Sequence, residues 1–130
     1  MTSNFIFDKE KRRIIKGRVI IHLSCKEASL MAELIKSQIT MRRLSYTEIT
    51  HAVWPERCKC VNSNNITQLV FKLRSKLNML TNHSCIINIK GEGYQLSPDI
   101  RFKISKPHLL FIWKTTTWLM QLFSVFTSIM

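Results

Sequence analysis

The hydrophobic pattern of the sequence changes its period at Ser24. Before it, residues 5–7, 14–15 and 19–23 form short runs of β-branched and aromatic residues, separated by charged or glycine-containing segments. Such runs predict strands, and three of them in close succession predict an antiparallel meander. After Ser24 the apolar residues recur at helical spacing. The sequence therefore predicts an α+β fold, with a small sheet followed by helices.

Two capping signals mark the starts of the first two predicted helices. Residues 24–27 fit the S-x-x-E capping box, in which the serine and glutamate side chains each bond a free amide of the first turn. A helix is predicted behind it from about residue 25 to 37. Residues 45–48 repeat the box, and Pro55 marks the end of a second, shorter helix.

A third helix is predicted from about residue 65 to 79. Its apolar residues fall within about 60° of one another on one face: Ile66, Val70, Leu73 and Leu77. The opposite face is polar except for one aromatic residue: Asn64, Gln68, Phe71, Lys72 and Ser75. A helix with a buried apolar face and a hydrogen-bonding outer face suits the major groove of DNA.

A hairpin is predicted after the third helix. Residues 85–89 and 94–96 read as its two strands, and residues 91–93 as its turn. Strands, three helices and a hairpin form the layout of a winged helix-turn-helix, with the hairpin as the wing. Lys90, at the tip of this wing, could reach the negative potential of a minor groove.

Composition narrows the partners of such a fold. The chain has 130 residues, a formal net charge of +12 and 45% hydrophobic residues, which is enough apolar surface for a folded domain. A small basic domain most often binds a polyanion, either nucleic acid or an anionic membrane. No nucleophile motif, phosphate-binding loop or catalytic triad is visible, so no enzyme activity is expected. The four cysteines are interpreted as free thiols, and neither a cofactor nor a metal is expected.

At this point the sequence resembles the OmpR/PhoB-type winged-helix DNA-binding family, and within it the membrane-anchored ToxR/CadC-like regulators. The resemblance covers about residues 4–97 and rests on four strings in the family's order and spacing: LSCKEASLMAELI (23–35), LSYTEITHAVW (44–54), ITQLVFKLRSKL (66–77) and NIKGEGYQL (88–96). It implies a four-stranded N-terminal sheet in the region of residues 5–23, where three strands are visible.

The resemblance also implies which residues contact DNA. Gln68 and Lys72 match positions that face base edges, and the helical spacing also puts both on the outer face. Gln suits adenine and Lys suits guanine. The remaining implied contacts are to phosphates, at Asn65, Arg74 and Lys76, and to the minor groove by the wing, at Lys90 and Gly91.

Several of these residues have a second interpretation. Arg74 could instead form an ion pair with Glu48, and Lys76 could be a solvated helix charge. Tyr94 and Trp54 are expected in the core. Phe71 stands where relatives often have a basic residue, and either a thymine methyl group or a protein partner could account for it.

The end of the chain is predicted to leave the domain. We divide the sequence into a DNA-binding domain at 1–98, a basic linker at 99–108 and a hydrophobic segment at 109–130. The last segment would span about 33 Å as a helix, which makes it a candidate transmembrane helix. The basic residues before it favour a cytoplasmic DNA-binding domain tethered to a bacterial inner membrane. The alternative is a hydrophobic helix that packs on the domain or on a partner.

Together these features predict a sequence-specific transcription regulator that binds double-stranded DNA. The expected partners are DNA, the inner membrane, a second copy or a related regulator, and the transcription machinery. No segment that could form a receiver domain precedes residue 5, so phosphorelay control within this chain is not expected. The alternative function is a protein-interaction module that sequesters a related full-length regulator.

Overall fold

The computed structural model describes residues 4–105, which form two sheets and three α-helices. The elements in chain order are β1 (Asn4–Asp8), β2 (Arg13–Lys16), β3 (Val19–His22), α1 (Cys25–Ile39), α2 (Tyr46–Val53), a 3-10 helix (Cys58–Cys60), α3 (Ser63–Leu77), β4 (Ile86–Ile89), β5 (Gly93–Leu96) and β6 (Arg101–Ile104). This is the predicted α+β winged-helix architecture.

The larger sheet has four strands, in the order β3-β2-β1-β6. β1, β2 and β3 form the predicted antiparallel meander. The fourth strand is β6, which pairs in parallel with β1 and brings the ring of Phe102 to 5.1 Å from that of Phe5. The Ser105 N–H then donates to the Phe7 carbonyl oxygen at 2.9 Å.

The assignment of residues 99–108 to a linker is therefore wrong for residues 101–104. A four-residue strand has too little alternation to be recognised locally, and its partner β1 lies almost the whole domain away in sequence. Its position is decided by the free edge of β1, not by its own propensity. The fourth strand of the larger sheet thus comes from the end of the domain, outside the region of residues 5–23.

The helices and the larger sheet contribute to one hydrophobic core. The Ser24 hydroxyl accepts the Glu27 N–H at 3.2 Å, and Glu27 Oε1 accepts the Ser24 N–H at 2.8 Å, so the predicted capping box at α1 is confirmed. α1 contacts α2, α3 and β5 and lies at the centre of the core. The largest fully buried side chains include Phe5, Phe7, Leu30, Leu34, Ile49 and Leu73.

α3 begins at Ser63, two residues before its predicted start. Asn62 caps it, because the side chains of Asn62 and Asn65 each accept the other residue's backbone N–H at 3.0 Å. This asparagine pair takes the place of the usual serine and glutamate of a capping box. The start of α3 therefore could not be recognised within the polar stretch of sequence. The helix ends at Leu77, which leaves Met79 outside it.

The wing is the β4–β5 hairpin, and β5 attaches it to the segment before α2 close to the hairpin turn. Leu44 and Tyr94 exchange backbone hydrogen bonds of 2.8 and 2.9 Å. Gly93 has a φ of +131°, and a Cβ atom there would collide with the Leu44 carbonyl oxygen. Gly91 has a φ of +81° but open space around it. Gly93 is therefore required by the close approach of two backbones, and Gly91 by the turn.

The predicted hydrophobic segment at 109–130 lies outside the described residues. Within residues 4–105, no helix is both long and apolar enough to cross a membrane.

Candidate DNA-binding interface

The outer face of α3 is the candidate DNA-reading surface. The inner face of this helix is buried in the core through Ile66, Leu69, Val70, Leu73 and Leu77. Leu69 was missing from the predicted apolar face. The burial of these five side chains fixes the rotation of α3 and leaves Asn64, Gln68, Phe71, Lys72 and Ser75 exposed. The outer face predicted from the sequence is confirmed.

Gln68 and Lys72 lie one helical turn apart and face a concavity of about 230 Å³. Two further basic residues, Lys26 of the first turn of α1 and Arg57 of the α2–α3 loop, line the same concavity. All three cations are exposed, and no acidic residue lines this surface. An exposed polar helix face bordered by cations has the hydrogen-bonding groups to read bases and the charge to bind phosphates.

Lys26 and Arg57 are functional candidates that sequence reasoning missed. Lys26 is remote in sequence from both Arg57 and α3, and Arg57 lies in the loop that leads into α3, so only the folded structure brings the two cations together. Trp54 forms part of this surface: its ring centroid lies 5.6 Å from Lys26 Nζ, a cation–π distance. It is half-buried and packs against the edge of the core, so the predicted core role of Trp54 describes only part of its surroundings.

Asn65 also lines this concavity, at the N-terminal turn of α3. Its Oδ1 atom accepts the Asn62 N–H, so its side-chain acceptor is already used by the helix cap. The amide hydrogens on Nδ2 are the groups that Asn65 can still offer to a phosphate.

Arg74 lies away from this surface and supports the wing. It is half-buried, and its Nη2 donates to the Ile86 carbonyl oxygen at 3.1 Å, which connects α3 to β4. The alternative ion pair between Arg74 and Glu48 is wrong. Glu48 instead pairs with Arg42 at 2.7 Å and accepts the Ser45 hydroxyl at 3.1 Å.

Lys76 connects α3 to α1 and to the end of β3. Its Nζ lies 2.7 Å from Glu27 Oε1 and 3.0 Å from the His22 carbonyl oxygen, so it is not the solvated charge of the second interpretation. Burial by itself raises the pKa of Glu27, whose exposed fraction is only 3%. The hydrogen bonds from Lys76 and Ser24 outweigh that effect and hold this pKa below its ordinary value.

The wing presents Lys90 to solvent at its tip, next to Gly91. Glu92, on the other side of the turn, forms an ion pair with Arg43 of the α1–α2 loop. This pair offsets the negative charge of Glu92, which is two residues from Lys90. Tyr94 of β5 is buried, as predicted for a core residue. Its ring contacts that of Tyr46 edge-to-face, with 5.7 Å between the ring centroids.

The cysteines within the described residues form no cluster with other ligands. In residues 4–105 no group of three or more His, Cys, Asp or Glu side chains is placed to hold a metal ion. Cys25 and Cys60 are exposed free thiols. Burial raises the pKa of the Cys85 thiol to about 11, which keeps it protonated at neutral pH.

A sheet, three helices with an exposed basic face and a wing together define a winged-helix DNA-binding domain. The family described as "Transcriptional regulatory protein, C terminal" matches residues 17–96, more than half of the chain. The chain belongs to this OmpR/PhoB-type family of DNA-binding domains of transcription regulators, which is not a class of enzymes.

Solved structures have the same fold. The DNA-binding domain of Escherichia coli CadC has a TM-score of 0.62 at 20% identity, over 75% of this chain and 89% of that one. The DNA-binding domain of AdeR, solved in complex with an intercistronic region, has a TM-score of 0.62 at 18% identity, over 75% of this chain and 97% of that one.

The match to RitR is closer in sequence but partial. A mutant form of RitR has a TM-score of 0.61 at 26% identity, over 75% of this chain, and this chain spans 42% of the RitR chain. No curated protein sequence is similar enough to add to these comparisons.

Proposed function

We propose that this chain recognises a specific double-stranded DNA sequence, with α3 in the major groove and the tip of the wing at an adjacent minor groove. The observation that carries the proposal is the exposed pair Gln68 and Lys72, which is bordered by cations from two other elements. AdeR, which shares the fold, was solved with DNA.

We infer a division of roles among the residues proposed to contact DNA. Gln68 and Lys72 read base edges, because both are exposed and neither is needed to hold α3 in place. Three residues around the same concavity, Asn65, Lys26 and Arg57, bind phosphates. Lys90 and Gly91 act in the wing.

Arg74 and Lys76 are left out of this contact set. Both side chains already bond protein groups, and moving either onto a phosphate would break a contact that holds α3 to its neighbours. This assignment differs from the roles that the family resemblance implies for them.

The test is DNA binding by the full chain, measured by fluorescence anisotropy at several salt concentrations. A sequence enriched by in vitro selection is compared with random duplex DNA of the same length. We expect tighter binding to the selected sequence at every salt concentration, since base contacts persist when phosphate contacts are screened. Equal affinity for both duplexes would show that the chain is not a sequence-specific regulator.

We also propose that residues 109–130 tether the DNA-binding domain to the inner membrane, as their composition predicts. Carbonate extraction of membranes tests this, with the full chain compared with a chain that ends at Ser105. The cut falls after β6 because that strand belongs to the domain. Retention of only the full chain supports a tether, and equal release of both rejects it.

A second candidate function is sequestration of a related regulator. It is favoured by a groove of mixed polarity between the C-terminal end of α1 and the strands β5 and β6, where the apolar side chains of Ile39 and Met41 are 69% and 94% exposed. Excess chain would then displace a related regulator from its DNA site. A Gln68→Ala variant should still do so under this alternative, whereas competition for the DNA site itself would be weakened by that substitution.

A further inference from the structure

Phe71 is a large apolar side chain on the outer face of α3, and its exposed fraction is 66%. Its backbone carbonyl accepts the Ser75 hydroxyl at 2.9 Å. Among residues 4–105, no aromatic pair or cation–π contact involves its ring. The fold therefore gains little from a phenyl group at this position.

The position of Phe71 separates it from other exposed apolar residues. Single exposed hydrophobic residues are common and need no explanation by themselves. Phe71, however, is three residues after Gln68 and four before Ser75, so it lies beside both of them on the exposed side of the helix. If α3 enters the major groove with this face, the phenyl ring enters with it.

The major groove offers one main apolar group to such a ring. Base edges there present hydrogen-bond donors and acceptors, except for the C5-methyl group of thymine, which takes apolar contacts. A phenyl ring has neither a charge nor a hydrogen-bond donor for a phosphate, so Phe71 does not bind the DNA backbone as a basic residue would.

We propose that Phe71 contacts the C5-methyl group of a thymine beside the bases read by Gln68 and Lys72, and that it selects for thymine at that position. This inference rests on the proposed function, because it needs α3 in the major groove. It adds a specificity-determining residue of a different chemistry from the two polar ones. Burial of the methyl group against the ring supplies the discrimination.

The experiment replaces each thymine of the selected site, one at a time, with deoxyuridine. This substitution removes only the C5-methyl group. The full chain should bind about three- to fivefold more weakly when one particular methyl group is missing. This is the effect expected when the burial of one methyl-sized group is lost. Phe71→Ala should bind the thymine and deoxyuridine forms of that position equally, and Phe71→Leu should keep part of the difference.

Met79→Ala is the matched control. Met79 has an exposed fraction of 73%, close to that of Phe71, but it lies beyond the C-terminal end of α3. This variant should keep the full deoxyuridine effect. Because Phe71 is exposed, its substitution should leave the unfolding midpoint in urea close to that of the unchanged chain.

The outcomes separate this inference from the proposed function. Preference for the selected site together with an unchanged deoxyuridine effect in Phe71→Ala would overturn the inference alone, and would point to a protein partner for the ring. The inference alone would also be overturned if no single deoxyuridine substitution weakens binding by the unchanged chain. If the unchanged chain shows no preference for the selected site over random DNA, the proposed function is overturned as well.

Discussion

The ammonium group of Lys76 lies 2.7 Å from the carboxylate of Glu27, so the last turn of α3 is bonded to the first turn of α1. The same carboxylate oxygen accepts the Ser24 N–H that starts α1. One atom of Glu27 therefore serves both the capping box and the packing of α3. This double use explains why a charged residue is buried there.

We expect Lys76→Met to destabilise the domain by about 1–3 kcal/mol, since a buried carboxylate loses its charged hydrogen-bond donor. Urea unfolding measures the change. Lys36→Met is the control, because Lys36 is an exposed lysine of α1. The salt dependence of DNA binding should be the same in both variants. A reduced salt slope in Lys76→Met alone would instead restore Lys76 as a phosphate contact.

The lowered pKa of Glu27 makes stability depend on pH in acid. A carboxyl group whose pKa is lower in the folded than in the unfolded chain stabilises the fold above its unfolded pKa, here about 4.5. That stabilisation should be lost as the pH falls from about 4.5 through the lowered folded pKa. Urea midpoints measured from pH 7 to pH 2 test this. The decline should be shallower in Glu27→Gln, and an identical decline would contradict the assignment.

The two wing glycines should respond differently to alanine. Both have positive φ values, which strain an alanine by about 1–3 kcal/mol. At Gly93 the new Cβ would also collide with the Leu44 backbone, whereas at Gly91 it meets open space. We therefore expect Gly93→Ala to lower the urea midpoint clearly more than Gly91→Ala. Equal losses would mean that β5 can move away from the Leu44 backbone.

Lys26 and Arg57 should behave as phosphate contacts. Replacing either with alanine should weaken binding to all sequences alike and reduce the salt slope by about 1, whereas Gln68→Ala should cost about 1–3 kcal/mol on the selected site only. Anisotropy titrations on selected and random DNA distinguish the two patterns. If Lys26→Ala and Arg57→Ala leave the slope unchanged, the concavity does not bind the DNA backbone.

Lys90 should contribute mainly at sites with A·T pairs beside the major-groove contact, where a narrow minor groove attracts cations. Lys90→Ala is expected to lose affinity for A·T-flanked sites and little for G·C-flanked ones. Glu92→Gln provides the comparison, since it removes an acidic group from the same turn and frees Arg43. Hydroxyl-radical footprints without protection in the flanking minor groove would make the wing a structural element only.

The parts of the fold that sequence could predict are those decided by neighbours in the chain. The buried and exposed faces of α3 follow from a regular spacing, and the start of α1 follows from a local capping box. The same reasoning placed the start of α3 too late, because two asparagines do there what serine and glutamate usually do.

The parts that sequence could not predict depend on distant contacts. β6 becomes a strand because β1 offers it an edge, and Lys26 and Arg57 join the outer face of α3 only through tertiary packing. For Arg74 and Lys76, local spacing correctly put charge on α3 but could not reveal Ile86 or Glu27 as their partners. A basic residue on a helix has the same pattern whether it binds DNA or holds the domain together.

The parallel pairing of β6 with β1 places the first and last strands of the described domain side by side. Without β6, the backbone N–H and C=O groups of the apolar strand β1 would be unpaired on that side, and such an edge can pair with a strand of another chain. β6 is itself an edge strand, but it carries the exposed charges of Arg101 and Lys103, which oppose such pairing. The last strand thus replaces an apolar sheet edge with a charged one.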